Sequence, residues 1–170
     1  MKQAISILGW ISVFLLLTSC GFHIRNFQDI SPKLRVLSIK SENPHSSLKD
    51  LLNQSFIGTG ITLDSNAEYT LLIKNENFST SKNTIGTAEQ LNTVGLSYNV
   101  TIAILNKAGN EVVPEATFSN NANYLQNANQ ILGDIGTTTS LEQELMRNMT
   151  HQIMSYLTSQ DIQHALSAYH

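Results

Sequence analysis

Few side chains in this sequence are placed to do chemistry. There is one cysteine, Cys20, so neither an internal disulfide nor a cysteine metal site can form. His23, His45, His151, His164 and His170 are scattered, and no His-Glu-x-x-His helix is present. No glycine-rich phosphate loop and no Gly-x-Ser-x-Gly elbow occurs. Glu142 and Glu144 fall at an expected helix start, where the helix dipole favours carboxylates. His151 falls on a helix flank and reads as a solvated or hydrogen-bonded side chain rather than a metal ligand. This pattern argues against an enzyme and calls for no cofactor and no metal.

Cys20 stands apart because of what precedes it. Lys2 gives a positive head, residues 4–17 are apolar apart from Ser6, Gly9 and Ser12, and Leu17-Thr18-Ser19-Cys20 follows. A charged head, an apolar run of about 7–15 residues and small residues before a cut describe a secretory signal. The run is short against the ~20 residues of a permanent membrane helix. The ending has the order of a lipobox, in which the cysteine thiol is acylated and becomes the first residue of the mature chain. Position, order and flanks favour this over an ordinary free or buried thiol. Residues 1–19 are then a cleaved lipoprotein signal peptide, and 20–33 a lipidated tether. Acyl chains worth about 0.8 kcal/mol per buried CH₂ would anchor it firmly. Gly21 stands where an aspartate would favour inner-membrane retention under the usual sorting rule, so the expected destination is the outer membrane.

Composition narrows the partners. The net charge is −3 and charged residues make up 14% of the 170, against about 25% in an average protein. No cluster of lysine and arginine suggests a nucleic-acid binder. Polarity comes from Asn, Ser and Thr, roughly three residues in ten, well above average usage. Such a surface suits ordinary solvent, and it also suits a polar, crowded partner.

The elements that follow fit one domain over residues 34–158, long enough for a real core. Residues 34–39 read as a short strand. Asn43-Pro44 is placed to cap a helix carrying Leu48, Leu51, Leu52, Ser55 and Phe56, with Gly58 and Gly60 ending it. Tyr69, Leu71 and Ile73 alternate, whereas Phe78, Thr80, Lys82 and Thr84 fall on the other parity, so a bulge is expected near residues 75–77. After a break at Gly86, Val94, Leu96, Tyr98, Val100, Ile102 and Ile104 alternate with small or polar residues. Residues 106–110 read as a hairpin turn, residues 111–124 as a fourth strand with Pro114 near its start, and residues 126–137 as a polar loop. Thr139 and Glu142 have capping-box spacing for a helix carrying Leu141, Leu145, Met149, Ile153, Tyr156 and Leu157. Residues 159–170 read as a short polar tail. The predicted class is α+β, with two helices packed on one face of a four-stranded mixed sheet.

Order and motifs together resemble the LPS-assembly lipoprotein (LptE) family. The carriers are Cys20-Gly21-Phe22-His23-Ile24-Arg25, the Asn43-Pro44 helix and the long strand with Lys82. Ala88-Glu89, Val113-Pro114 and the Glu-rich start of the last helix complete the set. The resemblance spans residues 17–157. It implies a lipid-anchored outer-membrane protein on the periplasmic side, within the lumen of an LptD-like β-barrel that it plugs and helps assemble, supporting lipopolysaccharide transport. It also implies basic side chains for lipopolysaccharide, with Lys82 as the candidate and Lys74 the weaker one. Residues 108–146 contain no lysine or arginine, and the fourth strand offers Thr117 and Ser119 where a second basic position would be expected. The alternative is a periplasm-facing binding lipoprotein serving another envelope transporter.

Overall fold

The computed structural model describes residues 30–84, 91–127 and 131–169, without the side chains of residues 84, 91, 127 and 131–135. The signal peptide, Cys20, residues 20–29 of the tether, Gly86 and Ala88-Glu89 lie outside the described residues. Five strands form one sheet: β1 (Val36–Ser41), β2 (Thr62–Leu63), β3 (Tyr69–Thr84), β4 (Leu91–Asn106) and β5 (Glu111–Asn127). Their order is β2-β1-β3-β4-β5. β1 is parallel to β2 and β3, and β3, β4 and β5 are mutually antiparallel neighbours. Among the described residues three helices accompany the sheet: α1 (Ser47–Ile57), α2 (Ile131–Leu157) and α3 (Gln160–Ala168). The α+β class and single domain stand, with one strand and one helix more than the sequence reading gave.

Alternation along β4 sets the layers. Val94, Leu96, Tyr98, Val100, Ile102 and Ile104 are all buried, and from Leu96 onward they pack with Leu48, Leu52 and Phe56 of α1 and Met149 and Ile153 of α2 in one core. The register places Tyr69, Leu71 and Ile73 of β3 beside the end of this row, next to Ile104 and Ile102. The pairing shifts between Ile73 and Asn75, close to the expected bulge. The extra residue there changes parity, so Glu76 and Phe78 take over the inner face opposite Val100 and Tyr98.

The capping chemistry differs from the expectation at two helices. Asn43 makes an Asx turn, its Oδ1 accepting from the His45 amide at 3.0 Å, and Ser46 is the true cap of α1, its Oγ accepting from the Lys49 amide at 3.1 Å. In α2 the helix begins at Ile131, eight positions before Thr139, within the stretch read as a polar loop. Thr139 and Glu142 are therefore interior, and Ser140 Oγ donates to the Gly136 carbonyl one turn back at 2.9 Å. Gly133, Gly136 and three consecutive threonines have poor helix propensity, which hid this start.

The largest correction is at the two ends. Residues 159–170, read as a tail, contain α3, capped by Ser159 and with Ile162 and Leu166 fully buried. Ile30, Ser31 and Leu34 are buried as well, with Pro32–Leu34 in a 3₁₀ turn, so residues 30–33 belong to the packed unit rather than to a tether. Lys33 Nζ donates to the Leu166 carbonyl at 2.7 Å, a cation at a helix C-terminus, and this joins the two ends.

Candidate functional site

The face of the sheet opposite the helices is laid out by register alone. Five rows cross β3, β4 and β5: Asn75-Thr101-Thr117, Asn77-Asn99-Ser119, Ser79-Ser97-Asn121, Ser81-Gly95-Asn123 and Asn83-Thr93-Leu125. None of these residues is charged. Those on β3 and β5 are exposed, and those on central β4 are half-buried between them. Short hydroxyl and amide side chains bond across the strands, Thr101 Oγ1 to Thr117 Oγ1 at 2.9 Å and Ser97 Oγ to Asn121 Oδ1 at 2.6 Å. Gly95 leaves a notch in the fourth row. A Cβ built there would lie 2.7 Å from Ser81 Oγ and 3.0 Å from Asn123 Oδ1.

The two candidate lysines are not brought together. They are eight residues apart on β3, roughly 26 Å at strand rise. Lys82 is exposed opposite buried Val94, on the helix side of the sheet near the end of β3. It makes no ion pair among the described residues. Lys74 is the extra residue at the bulge, and its ammonium is held on the open face by Glu111 at 3.2 Å and by Glu115. The Glu115 hydrogen bond, then the Glu111 one, raises the Lys74 pKa, and the Lys74 hydrogen bond lowers that of Glu115. Lys74 is thus occupied where Lys82 is open.

Under the helices lies a polar pair that sequence reading missed. Tyr98 is fully buried and donates its phenolic hydrogen to Glu76 Oε1 at 2.8 Å, while Phe78 stacks on its ring with centroids 4.0 Å apart. Burial, then the Glu76 carboxylate, pushes the Tyr98 phenol upward in pKa. Glu76 Oε2 is buried without a donor among the described residues. The available signal was Glu76 standing two residues from Phe78 on the same parity, a carboxylate in an apolar row.

Between α1 and α2 runs a groove of ≈ 330 Å³ lined by Asp50, Leu51, Gln54, Gln143, Met146 and Arg147. His45, His151 and His164 lie apart on the surface, and no three His, Cys, Asp or Glu side chains cluster among the described residues. No helix among those residues is long and apolar enough to cross a membrane.

No protein-family model matches the sequence, and no curated protein does. Solved structures do match in fold. A minor lipoprotein from Acinetobacter baumannii aligns with a TM-score of 0.65 at 18% identity, covering 74% of this chain and 91% of that one. Rare lipoprotein B from Shewanella oneidensis gives 0.62 at 15% identity, with 75% and 96% covered. An uncharacterized lipoprotein B from Nitrosomonas europaea gives 0.56 at 15% identity, with 79% and 94% covered. The chain has the fold of these bacterial lipoproteins, in agreement with the lipoprotein family that its sequence resembles.

Proposed function

We propose that this chain is an outer-membrane lipoprotein, anchored through Cys20, that plugs an LptD-like β-barrel and assists its assembly, supporting lipopolysaccharide transport to the outer leaflet. The observation that carries the reading is the set of five uncharged rows across β3, β4 and β5 on the open face of the sheet. A barrel lumen is polar. Seating a domain there strips bulk water from its surface, which costs far more for ions than for short hydroxyls and amides that bond one another. The likeness in fold to bacterial lipoproteins and the family resemblance of the sequence support the same reading. The role is mechanical and non-enzymatic.

Within this reading Lys82 is the residue proposed for lipopolysaccharide, whose phosphates call for a charged donor. Lys74 has no part in it, being held by Glu111 and Glu115. The decisive experiment is purification of the lipidated protein from membranes in mild detergent. A heat-modifiable barrel is expected to come with it, and depletion is expected to leave that barrel misassembled and surface lipopolysaccharide reduced. Normal barrel levels and normal surface lipopolysaccharide after depletion would sink the proposal.

A further inference from the structure

At the end of the sheet away from Lys82, a polar pocket of ≈ 270 Å³ opens beside the turn between β4 and β5. Lys40, Ser65, Asn66, Thr70, Asn106 and Lys107 line it, and no Asp or Glu does. Register explains why they meet. Lys40 pairs with Leu72 and Ser38 with Thr70 across β1 and β3, and Thr70 pairs with Leu105, next to the turn. Strand alternation then puts Lys40 and Thr70 on the open face. Two tight turns supply the rest. Asn106 Oδ1 accepts from the Ala108 and Asn110 amides at 3.0 and 2.9 Å, so Lys107 is carried by a braced hairpin. Asp64 Oδ1 accepts from the Asn66 amide at 2.9 Å, which braces the turn leading into β3.

The two lysines decide what the pocket suits. Lys33 is bonded to a helix carbonyl and Lys74 to carboxylates, whereas Lys40 and Lys107 make no ion pair among the described residues. Two ammonium groups turned to one pocket repel each other, and an anion between them removes that cost. The Ser65 and Thr70 hydroxyls and the Asn66 amide add neutral donors. Charge with several short donors suits a phosphate, which presents several acceptor oxygens. The pocket also lies where the chain enters the domain. Asn106 Nδ2 donates to the Tyr169 hydroxyl at 3.5 Å, and Lys33 Nζ donates to the Tyr169 carbonyl at 3.3 Å. Lys33 is thirteen residues from Cys20, at most about 47 Å of chain, so this end of the sheet is the one a lipid on Cys20 would hold at the membrane. We propose that the pocket binds the phosphate of a phospholipid headgroup in the leaflet that holds the anchor. The proposal rests on the Cys20 anchor and not on the barrel. It gives the anchored end a second hold on the surface, separate from Lys82, which stands twelve residues beyond Thr70 on β3, about 40 Å away.

The test reads the two amines directly. The protein purified from bacterial membranes in non-ionic detergent is added to vesicles of phosphatidylglycerol, or to vesicles of an uncharged galactolipid that lacks phosphate. An uncharged acetylating reagent is applied, and each lysine's rate is read by mass spectrometry against Lys82. On phosphatidylglycerol, Lys40 and Lys107 should react about fivefold more slowly than on galactolipid, as expected where headgroups stand at ~4 times the dissociation constant. Lys40→Gln, a change at an exposed position, should remove the protection of Lys107, because one phosphate needs both charges. Vesicle flotation separates the anchor from the pocket. Protein that floats yet reacts equally on both lipids would overturn the headgroup site alone. Protein that does not float would overturn it together with the anchor on which it rests. Equal protection on galactolipid by millimolar inorganic phosphate would assign the pocket to a free anion and overturn the lipid source. Lys107 protection that survives Lys40→Gln would show two separate lysines rather than one site, and would overturn the proposal as well.

Discussion

The two faces of β4 differ by one residue in the sequence and by nearly everything in their surroundings. On one side Val94, Leu96, Tyr98, Val100, Ile102 and Ile104 lie buried beneath the helices. On the other Thr93, Gly95, Ser97, Asn99 and Thr101 are half-buried between exposed neighbours of β3 and β5 that are polar except for Leu125. The period-2 geometry of a strand is enough to separate them, and a slip of one residue would exchange them wholesale. The inner face holds the fold together. The outer face contributes little to its stability and can therefore be specialised for contact.

That division is most exposed to failure at Ile102 and Thr101. Ile102 is fully buried, so Ile102→Ala should cost about 2–5 kcal/mol in urea unfolding, the range for large-to-small core changes. Thr101→Ala loses one hydroxyl contact with Thr117 at a half-open position and should cost under about 1 kcal/mol. Similar losses at the two positions would mean that the outer face is as structural as the inner one.

The C-terminal helix extends the inner face past the point where the sequence seemed to stop. Leu166 is fully buried, and Lys33 grips its carbonyl. Leu166→Ala should therefore cost about 2 kcal/mol, the low end of core truncations for a helix near the chain end. A neutral result would return residues 160–168 to the status of an appendage.

Tyr98 tests whether the inner face tolerates polarity. Tyr98→Phe keeps the ring stacked on Phe78 but removes the donor to Glu76, leaving a carboxylate with both oxygens short of partners. The expected loss is about 1–3 kcal/mol. In a Glu76→Leu background the same change should cost much less, because no acceptor is left stranded. Equal costs in both backgrounds would show that the hydroxyl matters for packing alone.

Much of this arrangement was legible because it rests on strict periodicity. The β4 alternation, the hairpin turn at Asn106 and Gly109 and the parity change in β3 each follow from a local rule with few competitors. The hairpin shows why. Asn106 Oδ1 accepts from the Ala108 and Asn110 amides, and Gly109 takes φ +84°. The misses came where local signals were weak or split. Asn43-Pro44 and Ser46 are both sound cap candidates three residues apart, and only the fold chooses between them. α3 has just two buried positions, Ile162 and Leu166, among polar neighbours, so its stripe is too short to register as a helix in sequence. Two-residue β2 has no periodicity at all. The lysines were legible as residues but not as a site, because the parity change at the bulge puts Lys82 on the helix side while Lys74 stays on the open face.

The gentlest test concerns a charged feature of the open face, the Lys74 clamp at the margin of the uncharged rows. Hydrogen bonding to Lys74 lowers the Glu115 pKa, so its contribution is complete above the ordinary carboxylate pKa and is lost as pH falls through the depressed folded value. The Lys74 pKa is raised by Glu115 and Glu111, so its contribution is complete below the ordinary lysine value and is lost as pH rises through the raised one. Both conditions hold together from about pH 5 to pH 10. Lys74→Met should lower Tm by a small, constant amount across that window. The difference should shrink toward zero in more acidic buffer, and it should diminish with added salt because the pair is solvent-exposed. A gap between wild type and variant that persists unchanged at pH 2 would mean that the lysine stem, packed along the sheet, is what the substitution removes, and that the open face is held by contact rather than charge even at its margin.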